Sequence, residues 1–243
     1  MKKILPFLVV ASVLILFSCN KDEAVVEPKL SDTMIQPDNL EVGQVNYYLR
    51  FEGEKYYDNS SNNLFSYTND TLKIEVIEEL DGGRFLVQEN YTPGSEILEG
   101  ENAEYYREVK KYYMYLENEN LVIERTTDDM YSTHLIYAFS LGEWGSGGEK
   151  VEFPLSLFTE KETTIEGWKT TNEYIEAYGE YFAKDVTLLE HNFGTANVIV
   201  NNVPMQVDGN GMTYVYNRTY GFVRSFTYSW WTGGGSGWDL MVP

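Results

Sequence analysis

Between Val45 and Phe51 the chain reads Val-Asn-Tyr-Tyr-Leu-Arg-Phe, with Val45, Tyr47, Leu49 and Phe51 on one side of an extended backbone and Asn46, Tyr48 and Arg50 on the other. A period of two residues belongs to β-strands, and it recurs along the chain. Leu72, Ile74 and Val76 alternate with Lys73 and Glu75; Asp81-Gly82-Gly83 then turns the chain into Phe85 and Val87, the signature of a hairpin. Tyr113, Tyr115 and Glu117 oppose Tyr112, Met114 and Leu116, a turn follows over residues 117–120, and Leu121 and Ile123 lead back. Val198 to Val200, then Met205 and Val207, precede the turn signal Asp208-Gly209-Asn210-Gly211. Met212 to Tyr216, Phe222 to Trp231 and Trp238 to Val242 read as the last strands.

The 20 tyrosines and 12 phenylalanines favour pleated, half-buried surfaces. Many short strands with turns between them predict a mainly β fold: one antiparallel domain, barrel-like, half-barrel or sandwich, behind a flexible N-terminal tether. Such a sheet needs closure or covering, because open edges pair with other chains. Two stretches resist this pattern. Tyr105, Tyr106, Val109, Tyr112 and Tyr113 have helical spacing, as do Tyr174, Tyr178, Tyr181 and Phe182. Each fits a short helix across a barrel mouth or an irregular strand, and the second leans towards helix.

The N-terminus has the order of a secretory signal. Lys2 and Lys3 precede an apolar run from Ile4 to Phe17, broken by Pro6 and Ser12, and Leu16-Phe17-Ser18-Cys19 closes it. That run is short of the roughly 20 residues that span a bilayer. Leu16-Phe17-Ser18-Cys19 resembles a bacterial lipobox, in which the cysteine is lipidated and becomes the mature N-terminus. The resemblance implies a lipid on Cys19 and membrane anchoring, and stable anchoring needs at least two acyl chains. Asn20-Lys21-Asp22-Glu23 resembles the lysine-plus-acidic export tract of Bacteroidota surface lipoproteins, which implies the outer face of the outer membrane. The expected organisation is a signal peptide over 1–18, a lipidated cysteine and flexible linker over 19–37, and a β-rich body over 38–243. Cys19 is the chain's one cysteine, so no intramolecular disulfide can form. The stretch Tyr214 to Arg224, Tyr-Val-Tyr-Asn-Arg-Thr-Tyr-Gly-Phe-Val-Arg, resembles Bacteroidota lipoproteins of unknown function, in which an aromatic strand precedes a Gly-hydrophobic-Val-Arg/Lys strand.

Residues 1–18 carry two lysines and no acid, so the remaining 225 residues have a formal charge of −22. That excludes nucleic acid as an expected partner, since neutralising phosphate requires cationic surface. It also disfavours docking on anionic lipid heads.

The chemistry-bearing residue types are sparse. With His134 and His191 the only histidines and no His-Glu-x-x-His, no metal site is expected. Gly234-Gly235-Ser236-Gly237-Trp238 fails the nucleophile-elbow pattern at Trp238. Asp208-Gly209-Asn210-Gly211 would open a calcium loop only with glutamate at the twelfth position, where Thr219 stands. No catalytic residue and no cofactor are assigned. Trp230, Trp231 and Trp238 flank a glycine loop, and tryptophan faces can stack on sugars or apolar ligands, which makes them candidate ligand contacts. Asp32-Thr33-Met34 and Asp70-Thr71-Leu72 resemble the Asp-Ser/Thr-hydrophobic O-glycosylation site of exported Bacteroidota proteins, which implies Thr33 and Thr71 as acceptors.

Three functions are weighed. The first is a non-catalytic binding or structural surface lipoprotein for a glycan, a small apolar ligand or a protein partner. The second is a lipid or lipoprotein carrier resembling the half-open barrels of the LolA type, which predicts a deep apolar cavity. The third is a carboxylate-dependent glycan-processing enzyme, which predicts two close acids of raised pKa in one cleft.

Overall fold

The computed structural model describes residues 33–54, 65–94, 109–126, 133–136, 150–158, 178–202, 210–229 and 234–243. They form one sheet of eleven antiparallel strands, curled into a half-barrel. The strands are β1 (Val45–Glu54), β2 (Phe65–Leu80), β3 (Arg84–Thr92), β4 (Lys110–Glu117), β5 (Asn120–Arg125), β6 (Lys150–Pro154), β7 (Tyr178–Leu188), β8 (His191–Asn202), β9 (Asn210–Asn217), β10 (Gly221–Ser229) and β11 (Gly234–Met241). Their order is β6-β5-β4-β3-β2-β1-β11-β10-β9-β8-β7. Two meanders are therefore fused by the pairing of the first strand with the last, and the two edges, β6 and β7, are consecutive in sequence.

The turns follow from local chemistry. Gly82 and Gly83 adopt φ of 80° and 75° between β2 and β3, a conformation open to glycine and costly for other residues. Asn118 and Glu119 turn β4 into β5 with φ of 51° and 62°, and Leu189 and Glu190 turn β7 into β8 with φ of 48° and 66°. Two positive φ values in a two-residue loop match the right-handed twist of the flanking strands.

Alternation along β1 holds, and both of its faces are used. Asn46 and Tyr48 point into the concave interior, while Phe51 is buried on the convex side. On β2, a bulge opposite Arg50 adds residues 68–70 to the ladder and brings Asp70 beside that arginine. The helical reading is corrected where it can be seen: Tyr112 and Tyr113 lie in β4, and Tyr178, Tyr181 and Phe182 lie in β7. Tyr105, Tyr106 and Tyr174 lie outside the described residues. The reason is that aromatics occupy both faces of these strands. Tyr112 is buried inside, whereas Tyr113 lies under the Arg84 guanidinium at 4.2 Å. Two interleaved sets of tyrosines mimic a helical period.

The seam between β6 and β8 closes through side chains in place of a strand ladder. Phe153 at the end of β6 meets Tyr214, Tyr216 and Phe222 edge-on, at ring distances of 5.5, 5.3 and 4.8 Å. Fully buried Asn197 of β8 donates to the Pro154 and Ser156 carbonyls at 3.0 and 2.9 Å and accepts the Phe158 N–H at 2.9 Å. One amide thus satisfies three backbone groups that would otherwise end a strand unpaired.

Thr33 to Pro37, at the end of the segment expected to be linker, lies against the body. Met34 and Ile35 are buried, the Thr33 carbonyl accepts the Val45 N–H at 2.7 Å, and the Ile35 N–H reaches Asn46 Oδ1 at 3.0 Å.

Candidate functional site

The concave interior is the place where a barrel of this kind would hold a ligand, and here it is occupied by the chain itself. Residues 133–136 enter it, and all four are buried. They form a tight loop in which the Ile136 N–H bonds to Thr133 Oγ1 at 2.8 Å, while the Thr133 hydroxyl donates to the Ile136 carbonyl at 3.2 Å. The loop is pinned from two sides. The Ser225 hydroxyl of β10 donates to the Leu135 carbonyl, and the Glu89 carboxylate of β3 accepts the His134 N–H at 2.6 Å. Burial pushes Glu89 up to about 7, against the hydrogen bond from the His134 N–H, which favours the charged form. Beside Leu135, a recess bounded by Ile35, Tyr48, Tyr112 and Phe222 leaves about 10 Å³, room for about one water molecule.

At one end of the interior a polar cluster surrounds Arg50. Its guanidinium bonds to Asp70 at 3.0 Å, to Tyr91 at 3.2 Å and to Glu52 at 2.7 Å. Asp70 also accepts from the Tyr91 hydroxyl and from the Gly94 N–H at 2.8 Å. Burial pushes Asp70 up, but these hydrogen bonds outweigh it and hold the carboxyl below its ordinary value. Trp238 belongs to this cluster. It is buried, its ring 5.5 Å from Tyr91 and nearly perpendicular to it, and Tyr91 in turn lies 5.4 Å from His134. Its register with Ser225 turns Trp238 inward. Trp230, Trp231 and Cys19 lie outside the described residues.

Thr33 is exposed at the start of the described body. Thr71 sits inside β2, opposite Leu49 on one side and Thr92 on the other. His191 accepts or donates a 3.1 Å bond with Tyr220 and packs edge-on against Phe193. Among the described residues no group of three His, Cys, Asp or Glu side chains is placed to hold a metal.

On the convex side, Arg224 of β10 and Asp239 of β11 form a buried two-pronged ion pair, with bonds of 2.6 and 2.7 Å. The Tyr67 hydroxyl donates to Asp239 at 2.7 Å, and the Arg224 guanidinium lies 4.7 Å from the Phe51 ring centre. Phe51 reaches β10 across Gly237: a Cβ there would stand 2.5 Å from the Phe51 ring and 2.3 Å from the Ser225 carbonyl.

The reading from sequence missed Glu89, Asn197 and the Arg224–Asp239 pair. A signal existed for two of them. Glu89 is in phase with Val87 on the inward face of its strand, and Arg224 and Asp239 are opposite charges inside two apolar runs.

No family model matches the chain, and no curated protein does. Two crystal structures resemble the fold. One is a protein described as exported, with a YmcC-like fold, from Bacteroides fragilis: 11% identity, a TM-score of 0.39, covering 86% of this chain and 97% of that one. The other is described as a lipoprotein from Parabacteroides distasonis: 12% identity, a TM-score of 0.42, covering 86% and 96%.

Proposed function

We propose that the chain is an exported, lipid-anchored surface protein whose half-barrel is a solid binding or structural body. The supporting observation is the N-terminal order of positive residues, a short apolar run and Leu16-Phe17-Ser18-Cys19, followed closely by a folded β body. The expected address is the outer membrane, with the body facing the medium, as the Asn20 to Glu23 tract implies.

The carrier reading needs an interior that an acyl chain can enter. The loop over 133–136, the Phe153–Tyr214–Tyr216–Phe222 cluster and Tyr48 fill that space. The enzyme reading needs a pair of carboxyls at a cleft. Glu89, the carboxyl that burial raises, faces Lys110 of the next strand and holds the backbone of the loop. The filled interior favours the first reading over the carrier.

Protease treatment of intact cells tests the address. The account expects the body to be cleaved or shed while a periplasmic marker survives. Protection until the outer membrane is broken places the body in the periplasm and contradicts surface exposure. Binding of a fluorescent fatty acid by the purified protein with micromolar affinity would favour the carrier.

A further inference from the structure

The N-terminal segment joins the body at one particular end of the half-barrel. The Thr33 carbonyl accepts the Val45 N–H at 2.7 Å, where β1 begins. Antiparallel order puts the end of β11 and the turns β2–β3, β4–β5, β7–β8 and β9–β10 at this same end.

Three large apolar side chains face solvent beside that junction. Val42, in the turn that leads into β1, is 55% exposed, Tyr47 on the convex side is 50% exposed, and Met241, directly opposite Tyr47 on β11, is 39% exposed. Singly, such residues are ordinary on a protein surface. Here they are grouped where the chain from the anchor arrives. Charges beside them are paired: Lys73, the other neighbour of Tyr47, meets Glu75 at 2.6 Å, and Arg218 of the β9–β10 turn meets Asp38 at 3.0 Å. Glu41, Asp81 and Glu119 stand in the other turns of this end.

Fourteen peptide steps separate Thr33 from Cys19. They reach at most about 50 Å, and about 20 Å as a coil. A tether of that length holds this end near the bilayer at high effective concentration, so a weak apolar contact suffices. Tyrosine favours the headgroup level, where its ring is half buried and its hydroxyl wet. The acid in the turns and the charge of −22 over residues 19–243 set the class of lipid, since anionic headgroups repel such a body.

We propose that this end of the half-barrel rests on the lipid surface, with Val42, Tyr47 and Met241 entering the headgroup layer of zwitterionic lipid. The inference rests on the anchored reading given above and adds to it the orientation of the body.

Site-specific quenching of the full lipidated chain tests the orientation. In that chain the Cys19 sulfur is a thioether, so one introduced cysteine is the single free thiol. Val42→Cys, Tyr47→Cys and Met241→Cys, each labelled with bimane, are placed in phosphatidylcholine vesicles that contain a nitroxide-headgroup lipid. Each is expected to be quenched several-fold more than Val109→Cys, an exposed position where β4 begins, at the opposite end. Replacing part of the lipid with phosphatidylglycerol is expected to lower the quenching. Flotation of the same samples reads the anchor separately. A chain that does not float with the vesicles overturns the anchored reading and this one together. A chain that floats but is quenched equally at both ends, or more at position 109, overturns the orientation alone. Quenching that rises with phosphatidylglycerol would assign the contact to charge, and pyrene excimers between copies labelled at position 47, without headgroup quenching, would assign the face to a second copy; either result overturns the proposal.

Discussion

The Glu89 carboxylate accepts the His134 N–H at 2.6 Å across 45 residues of sequence, and with the Ser225 hydroxyl it fixes a loop inside the half-barrel. The fold therefore carries a titratable group at the centre of its packing. Glu89 titrates at about 7 when folded, against 4.5 for the ordinary group, so between those values the folded chain holds a proton that the unfolded chain has lost. Stability contributed at low pH is lost as pH rises through about 7, on the order of 3 kcal/mol in all. Urea unfolding at pH 5 and pH 8 is expected to show the wild type weaker at pH 8. Glu89→Gln is expected to flatten that difference. An unchanged pH dependence in Glu89→Gln contradicts the assignment.

Asn197 holds the seam. Replacing it with alanine removes two donors and one acceptor, and strands the Pro154 and Ser156 carbonyls and the Phe158 N–H. A loss of about 2–4 kcal/mol is expected, since each stranded buried group costs about 1–3 kcal/mol and some reach water. Asn197→Asp is expected to be at least as harmful, because an acceptor would then face two carbonyls. Denaturant midpoints within a few tenths of a kcal/mol of wild type would show that the seam is held by other contacts.

The Arg224–Asp239 pair is the deepest ionic contact described. Arg224→Ala leaves Asp239, which is fully buried, without its partner, and a cost of about 3–5 kcal/mol is expected. Replacing both with apolar residues, Arg224→Met with Asp239→Leu, is expected to cost less than the single change. A double-mutant cycle reads the coupling. If the double variant is as unstable as the sum of the singles, the two residues act independently.

Gly237 is required for space. Its Cβ would meet the Ser225 carbonyl and the Phe51 ring, and the carbonyl belongs to a neighbouring strand that cannot step aside. Gly237→Ala is expected to lose about 1–3 kcal/mol in thermal or urea unfolding, the range of an overpacked core. Phe51→Leu is expected to relieve part of that loss and no more, because the carbonyl clash persists.

The period-two pattern made the strands legible because antiparallel ladders write it directly into sequence. Leu72, Ile74 and Val76 are buried as their alternation requires, and the turns at 81–83 and 117–120 fall where glycine, aspartate and asparagine stand. Pattern alone could not say which face is inside. β1 buries Tyr48 within the curl and Phe51 outside it, and no local feature distinguishes the two. Closure was hidden for a similar reason. It depends on Asn197 meeting residues 154–158, a contact between strands whose separation along the chain carries no periodic trace. The contact of Trp238 with Tyr91 was equally hidden, because a tryptophan beside glycines reads the same whatever it faces.

The anchor is tested most directly by the mass of the mature N-terminus together with the fractionation of Cys19→Ala. The account predicts a wild-type chain that begins at Cys19, carries the added mass of at least two acyl chains and sediments with membranes, and a Cys19→Ala chain that carries no lipid and leaves the membrane fraction. A wild-type chain without acyl mass, or a Cys19→Ala chain that stays with membranes as before, contradicts it.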